Sequence, residues 1–276
     1  MKDLIYLARP HQWYKNLVVF IAIFFSGQFF NIEAFILTAL GFFSLCLVSS
    51  ANYVINDILD RNEDKKHPEK KSRPLASGKV RVLHAITMAA VLLSFSVIIA
   101  YYLGSQFLVS VLALFFLTLF YSAELKNEAV LDVIIIGANF VLRAIAGAFI
   151  IKVAISPWLI VCTFFLALLL ACSKRRGELN LKEKNPRIKD YTHIVEPLIY
   201  SNAAILIMAY VLYSFTQHPP LFMLTLPVFV YGVFTFLLIT KKYPKIARKP
   251  HLLILNQRMF TAGTIMLVIM LGVLYV

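Results

Sequence analysis

Long apolar stretches limit the fold of this 276-residue chain more than any other feature. Hydrophobic residues make up 60% of the chain, whereas soluble domains usually contain about 45–50%. A helix of roughly 20 apolar residues crosses a bilayer. The sequence therefore predicts an all-α, polytopic membrane bundle of about nine helices. We expect one domain over residues 1–276, built around a cavity open to the cytosolic face. The predicted spans are 16–30, 34–56, 82–103, 106–122, 130–151, 156–173, 197–216, 221–240 and 259–276.

The positive charges lie in alternate connections between these spans. Of the 27 Lys and Arg residues, 25 fall in 1–15, 57–81, 123–129, 174–196 and 241–258. Because positive loops stay in the cytosol, we expect a cytosolic N-terminus, an external C-terminus and an active site facing the cytosol of a bacterial inner membrane. No small-residue cleavage site follows residues 16–30, so they should be an uncleaved first span. The net charge of +13 belongs to the cytosolic face, and we expect no nucleic-acid partner.

Three carboxylates stand at the cytosolic end of the second span. Asp57, Asp60 and Asp64 have helical spacing and fall within about 60° on one face. Such a cluster repels itself unless a cation lies among its oxygens. Mg²⁺ takes oxygen ligands and leaves room for substrate phosphates. We therefore predict that these three residues are catalytic metal ligands for Mg²⁺, with Asn56 helping to bind a diphosphate substrate.

The loop after the carboxylates is rich in cations. Lys and Arg beside a metal-binding cluster suit a metal that arrives carrying phosphate. We expect this loop to bind the diphosphate from the other side through Lys70, Lys71, Arg73 and Ser77. For the neighbouring Glu63, Lys65, Lys66 and Glu69, a solvated, charge-balanced loop is the simpler interpretation.

The fifth span carries a polar stripe. Asp132, Asn139 and Arg143 fall within about 40° on one face of an otherwise apolar helix. Ionisable residues inside a membrane usually mark function, so we expect the three to bind substrate. A structural salt bridge between Arg143 and another helix is the alternative. Tyr121 and Lys126, just before this span, could line the same cavity.

The second large loop opens with Lys174, Arg175 and Arg176, followed by Glu178. Consecutive cations at a membrane exit can be only a topology signal. If the first loop holds a metal diphosphate, however, a basic second loop suits an anionic co-substrate. These four residues are therefore predicted to bind substrate, and both substrates would then carry phosphate.

Together these motifs resemble the UbiA superfamily of intramembrane prenyltransferases. The pattern N-D-x-x-D-x-x-x-D at 56–64, the segment 73–78 and the nine spans carry that resemblance. A narrower likeness is to the decaprenyl-phosphate phosphoribosyltransferase branch. It rests on the segments 9–16, 121–126, 131–133, 140–147 and 174–179.

This resemblance implies an enzyme of cell envelope biosynthesis. It would transfer 5-phosphoribose from phosphoribosyl diphosphate to a polyprenyl phosphate, with Mg²⁺, and release diphosphate. A homo-oligomer is compatible with the sequence.

Two other functions stay open at this point. A prenyltransferase would move a prenyl group from prenyl diphosphate to an aromatic or polar-lipid acceptor, but it typically has a second Asp-rich motif where this chain has Lys174, Arg175 and Arg176. A secondary transporter would tend to have Gly- or Pro-broken helices near mid-membrane. Here the polar residues gather at one interface instead. Asn256 also stands where relatives tend to have an acid.

Overall fold

Helices make up almost all of the structure, a computed structural model that describes residues 2–67, 70–125, 128–179, 190–217 and 220–275. Within these ranges there is no β-strand. The α-helices are α1 (Lys2–Ala8), α2 (Phe20–Phe25), α3 (Ile32–Leu59), α4 (Arg61–Lys66), α5 (Val82–Leu103), α6 (Ser105–Ala123), α7 (Leu131–Ile150), α8 (Pro157–Leu179), α9 (Val195–Gln217), α10 (Thr225–Lys242), α11 (Pro244–Arg248) and α12 (Gln257–Tyr275). Short 3₁₀ segments are Pro10–Val19, Lys70–Ser72, Pro220–Leu224 and Pro250–Leu255.

Eight helical segments in the described part of the chain are long and apolar enough to cross a membrane. They correspond to the last eight predicted spans, so the all-helical membrane fold is confirmed. They are α3, α5, α6, α7, α8, α9, Pro220–Lys242 and α12. The opening of the predicted cavity toward the cytosol stays a prediction.

The first predicted span, 16–30, differs from the expected long helix. It consists of the end of the 3₁₀ segment and the six-residue α2, which stops before Gly27 at φ +73°. Polar anchoring to α3 explains the irregular backbone: Trp13 Nε1 donates to Ser50 Oγ at 3.0 Å, and Asn16 Nδ2 donates to Cys46 Sγ at 3.3 Å. A nine-crossing topology therefore requires this segment to cross in a non-α form.

The chain divides into two compact units. Unit 1 comprises residues 1–126 and 139–155, and unit 2 comprises 127–138 and 156–276. The helix α7 supplies residues to both. The prediction of a single domain over the whole chain stays a prediction.

In unit 1, the helices α3 and α5 pack along their length through small residues. Ser44 and Ser96 exchange hydrogen bonds with each other's backbone carbonyls at 2.9 and 2.8 Å. Such bonds between small residues let membrane helices approach closely. The helix α7 meets the 3₁₀ segment at Gly147, where an added Cβ would lie 2.1 Å from the carbonyl oxygen of Val19. Unit 1 thus includes the pair of α3 and α5, the 3₁₀ segment and the second half of α7.

In unit 2, the apolar core forms mainly between α8, α9 and α10. Leu169, Ile199 and Phe236 are among its buried members. At the end of α8, Gly177 faces the carbonyl oxygen of Pro244, 2.9 Å from where a Cβ would stand. This close approach places the basic end of α8 beside the short helix α11.

Candidate active site

The predicted carboxylate cluster lies where α3 ends and α4 begins. Asp57 is in the last turn of α3, Asp60 stands at the junction and Asp64 belongs to α4. The backbone N–H of Asp60 donates to the Asn56 carbonyl at 2.9 Å, and that of Asp64 donates to the Asp60 carbonyl at 2.8 Å. The helical hydrogen-bonding pattern thus continues across the junction between α3 and α4.

Arg73 joins two of these acids. A single atom, its Nη1, donates to Asp57 Oδ1 at 3.0 Å and to Asp64 Oδ2 at 2.6 Å. Both carboxylates are buried, at 3% and 2% exposure. Buried charges need such partners, because desolvation penalises an isolated ion heavily. Two acids and the arginine predicted to bind diphosphate therefore form one buried ion network.

Arg9 is a member of this network that the sequence prediction omitted. Its Nη2 donates to the same Asp57 oxygen at 2.5 Å, and its guanidinium lies over the Tyr53 ring at 5.1 Å from the centroid. Arg9 has left-handed backbone angles, φ 51° and ψ 56°, which are uncommon for a residue with a side chain. The following Pro10 disfavours the right-handed helical region for Arg9, but it favours an extended backbone rather than a left-handed one, so it does not predict this conformation.

The other predicted residues around the cluster have different environments. Asn56 Nδ2 donates to Asp60 Oδ2 at 3.2 Å. The Lys70 ammonium lies 4.0 Å from Asp64 Oδ1, while the Lys71 side chain is exposed. Ser77 donates to the Pro74 carbonyl at 3.3 Å and so closes a turn. In the part of the chain that the structure describes, no three Asp, Glu, His or Cys side chains converge as a metal site.

The cluster nevertheless has the chemistry that Mg²⁺ requires. All its acidic ligands are hard oxygens, and the oxygens of Asp57 and Asp64 converge on one positively charged nitrogen. Arg73 therefore compensates the charge that a divalent cation would compensate. Ligation by Asp57, Asp60 and Asp64 fits this donor set, provided that Arg73 exchanges its carboxylates for another anion.

Arg143 is buried in unit 1 and is held by neutral groups. Its Nε donates to Asn16 Oδ1 at 2.8 Å, and its Nη1 donates to the Asn139 carbonyl at 2.7 Å. The Asn139 side chain in turn accepts from Thr118 Oγ1 at 3.0 Å. Among the described residues, Arg143 forms no salt bridge, so they do not support that alternative. Tyr121 is half-buried in α6, and Lys126 lies outside the described residues.

In unit 2, Asp132 and Arg175 form a bidentate ion pair. Arg175 Nε and Nη2 donate to the two Asp132 carboxylate oxygens at 2.6 and 2.7 Å. Arg175 Nη1 also donates to Glu178 Oε2 at 2.5 Å, and Lys174 lies 3.7 Å from Glu178 Oε1. Four predicted residues thus meet in a network of two cations and two anions.

Tyr191 completes this network, and the sequence prediction did not include it. Its hydroxyl donates to Asp132 Oδ2 at 3.3 Å and accepts from the Val130 N–H at 3.0 Å. Burial raises the pKa of Tyr191 to about 12, so the phenol keeps the proton that it donates. Val130 has a φ of 70°, a strained angle for a β-branched residue that the Tyr191 contact helps to maintain.

Arg176 points to a different set of partners from its neighbour. Its Nη2 donates to Thr240 Oγ1 at 2.9 Å, and its Nη1 lies 3.3 Å from Glu196 Oε2. Successive helical residues differ by 100° in direction, which explains the separation. Of the three consecutive cations, Lys174 is the most exposed, at 44% of its side chain against 16% for Arg175 and 8% for Arg176.

Asn256 caps the start of α12. Its Oδ1 accepts from the backbone N–H of Arg258 at 3.2 Å and of Met259 at 3.4 Å. An Asn side chain serves this helix-capping function as well as an Asp. The sequence departure at this position is therefore compatible with the same local backbone.

A model of the UbiA prenyltransferase family matches residues 16–260. Among curated proteins, the uncharacterized protein y4nM of Sinorhizobium fredii is 35% identical over 178 residues, which are 64% of this chain and only 34% of that protein. The decaprenyl-phosphate phosphoribosyltransferase of Mycolicibacterium smegmatis is 30% identical over 227 residues, which are 79% of this chain and 71% of that protein.

The fold is also similar to that of a solved protein. A UbiA homolog from Archaeoglobus fulgidus, bound to GPP and Mg²⁺, superimposes with a TM-score of 0.74. The two chains are 18% identical, and the match covers 99% of this chain and 100% of the other. This likeness concerns the fold.

Proposed function

Because the chain belongs to the UbiA prenyltransferase family and is a transferase of that superfamily, we propose that it transfers 5-phosphoribose from phosphoribosyl diphosphate to a polyprenyl phosphate. The reaction releases diphosphate and leaves a lipid-linked phosphoribose. The relative from Mycolicibacterium smegmatis, named as a decaprenyl-phosphate phosphoribosyltransferase, supports this choice of substrates.

The observation that carries the proposal is the ion network of Asp57, Asp64, Arg73 and Arg9 in unit 1. It combines acids suited to a divalent metal with arginines suited to phosphate oxygens. Mg²⁺ held by Asp57, Asp60 and Asp64 would neutralise charge on the leaving diphosphate. Such a metal is present in the solved UbiA homolog with GPP.

Arg73 and Lys70 would bind the outer oxygens of the diphosphate. As the C1–O bond of ribose breaks, negative charge grows on the leaving group and the sugar acquires oxocarbenium character. Cations placed in advance beside that charge stabilise the transition state more than the ground state. Asp57, Asp60 and Asp64 would hold the metal, and Arg73 would exchange its contacts with Asp57 and Asp64 for contacts with the diphosphate.

The lipid phosphate would bind at the basic start of the second loop. Lys174 is the best placed of the three cations there, because its side chain is the most exposed and its contact with an acid, 3.7 Å to Glu178, is longer than those of Arg175 and Arg176. A phosphate monoester is ionised near neutral pH, so its oxygen can attack C1 without a strong general base. Attack on the face opposite the diphosphate inverts C1. Positioning of the two substrates supplies much of the acceleration.

The test uses purified full-length protein with radiolabelled phosphoribosyl diphosphate, polyprenyl phosphate and Mg²⁺. We expect diphosphate release and a labelled lipid only when both substrates and the metal are present. Lys174→Gln should raise the KM for the lipid phosphate more than the KM for the soluble donor. A matched control is Lys79→Gln, which alters an exposed lysine in unit 1.

A parallel reaction contains prenyl diphosphate and an aromatic acceptor. Transfer of the prenyl group there, with no consumption of phosphoribosyl diphosphate, would contradict the substrate assignment.

A further inference from the structure

Unit 1 contains two cations that its ion network does not neutralise. Lys15 is half-buried and Arg143 is 8% exposed. Among the described residues, no acid lies within salt-bridge distance of either one. The carboxylate network of Asp57 and Asp64, in contrast, already has Arg9 and Arg73 as partners. Uncompensated charges at low exposure are costly, so this pair favours an anionic ligand.

The two cations lie close to each other. Asn16 accepts from Arg143 Nε at 2.8 Å, and Lys15 is the preceding residue of the same 3₁₀ segment. The guanidinium groups of Arg143 and Arg9 both repel the Lys15 ammonium. Neutral contacts hold Arg143 in place through Nε and Nη1, and within the described part of the chain Nη2 has no hydrogen-bond acceptor, so it can donate to a ligand. One anion could therefore contact both side chains.

This pair is connected to the carboxylates along α3. Ser49 of α3 donates to Asn16 Oδ1 at 3.3 Å, and Asp57 lies eight residues later, about 12 Å along the helix axis. Between them, Asn52 is 4% exposed, and neither polar atom of its side chain has a hydrogen-bond partner among the residues that the structure describes. Ser49, Asn52 and Asn56 follow one another at helical spacing and so share a face. A polar face of α3 thus runs from the cation pair toward the acids.

We propose that Lys15 and Arg143 bind the phosphate on C5 of the ribose, while the carboxylate network binds the diphosphate on C1. This inference rests on the proposed function, because it assigns a place to the second anionic end of the same donor. The two anion sites are separated by about 12 Å along α3, which is of the order of the length of phosphoribosyl diphosphate. Arg9 contacts Asp57 and also repels the Lys15 ammonium, so it lies near both sites.

The pair would determine specificity for the sugar donor. A prenyl diphosphate has a single anionic end and an apolar tail. Such a molecule would leave Lys15 and Arg143 without a counter-ion and would place hydrocarbon against two charges. A donor with phosphate at both ends satisfies both sites. Rejection of the wrong donor through unpaired buried charges is an effective means of discrimination.

The test separates the two ends of the donor by using two inhibitors. Ribose 5-phosphate probes the proposed Lys15 and Arg143 site, and inorganic diphosphate with Mg²⁺ probes the carboxylate network. In Lys15→Gln we expect the inhibition constant for ribose 5-phosphate to rise about tenfold or more, the loss expected for a hydrogen bond to a charged group. The constant for diphosphate should stay within about twofold. Arg73→Gln should show the reverse pattern.

Lys15→Arg should restore part of the affinity, and the control Lys79→Gln should behave as the wild type. Because Arg143→Gln could disturb packing, Lys15 carries the test. Equal weakening of both inhibitors in Lys15→Gln, or no weakening of either, would overturn the assignment. If the wild type does not consume phosphoribosyl diphosphate in the presence of polyprenyl phosphate and Mg²⁺, the proposed function itself is wrong. That failure is visible before any variant is compared.

Discussion

Arg175 and Asp132 form a two-point ion pair in unit 2, with N–O distances of 2.6 and 2.7 Å. Asp132→Asn removes this pair but leaves Arg175 its contact with Glu178 at 2.5 Å. We therefore expect Asp132→Asn to destabilise the protein by about 1.5–3 kcal/mol, the loss expected for hydrogen bonds to a charged group. Arg175→Lys should destabilise it too, because an ammonium cannot reproduce the bidentate contact. Thermal unfolding in one detergent measures both changes.

A double-mutant cycle on the same pair is a sharper test. If the contact is direct, Asp132→Asn and Arg175→Gln together should cost less than the sum of the single changes. The control is Lys174→Gln, which removes a more exposed pair with Glu178 and should cost at most about 1 kcal/mol. Additive effects of the two changes would show that the pair does not couple.

Turnover should depend on the three acids at the junction of α3 and α4. Asp57→Asn, Asp60→Asn or Asp64→Asn should nearly abolish transfer while leaving the protein folded, because each keeps its size but loses an anionic ligand. Loss of such a contact is worth several kcal/mol in the transition state, and each 1.36 kcal/mol is about tenfold in rate. Glu33→Gln is the matched control, since Glu33 is exposed at the opposite end of α3. Glu69→Gln, outside the described residues, should also be mild. Near-parental activity in all three Asn variants would rule out the metal site.

Replacing Arg73 should strengthen Mg²⁺ binding but weaken use of the donor. Because its Nη1 contacts both Asp57 and Asp64, it competes with a metal for their oxygens in the substrate-free protein. Arg73→Gln should therefore tighten Mg²⁺ binding without donor, measured by calorimetry. The same change should raise the KM for the donor, since a diphosphate contact is lost. A fall in Mg²⁺ affinity would show that Arg73 organises the acids rather than competing for them.

The affinity for the donor should fall above about pH 8. Burial, then repulsion by Arg143 and Arg9, lowers the pKa of Lys15 to about 8. The ionisable groups around Lys15 and Arg143 are Arg9, Tyr14, Cys46 and Tyr53. A bound phosphate favours the charged amine, so binding above pH 8 requires uptake of a proton. Phosphate groups are already ionised there, with a second pKa near about 6.

The donor KM should consequently rise by up to about tenfold per pH unit above that pKa. The free energy of unfolding should change in the opposite direction and rise above about pH 8. Burial makes the charged Lys15 ammonium costly in the folded state, and loss of its proton removes that cost. Lys15→Arg should keep a nearly constant KM to about pH 10, since arginine stays charged. An unchanged pH profile in that variant would assign the titration to another group.

The topology can be tested by labelling. With all native cysteines replaced, a cysteine at position 66 should resist an impermeant thiol reagent added outside cells, and should react after the membrane is opened. A second cysteine at position 152, in the connection that carries only one Lys, should label from outside. Reaction at position 66 in intact cells would place the carboxylate network on the wrong side for a cytosolic donor.

Local patterns in the sequence were enough to predict eight membrane helices and the helical spacing of the acids. Hydropathy depends on composition over about 20 residues, and the spacing of Asp57, Asp60 and Asp64 depends only on helix periodicity. Both properties act over short distances along the chain. The irregular segment 10–25 was missed because its backbone depends on polar contacts with α3, which hydropathy does not report.

The partners of each charge were decided by the tertiary structure. Arg9 meets Asp57 across 48 positions, Arg175 meets Asp132 across 43, and Arg143 meets Asn16 across 127. Asp132 and Arg143 share one face of α7, yet they belong to different units and have different partners. Residues on one helix face share a direction because of local geometry, but which residue each one contacts depends on how distant segments pack.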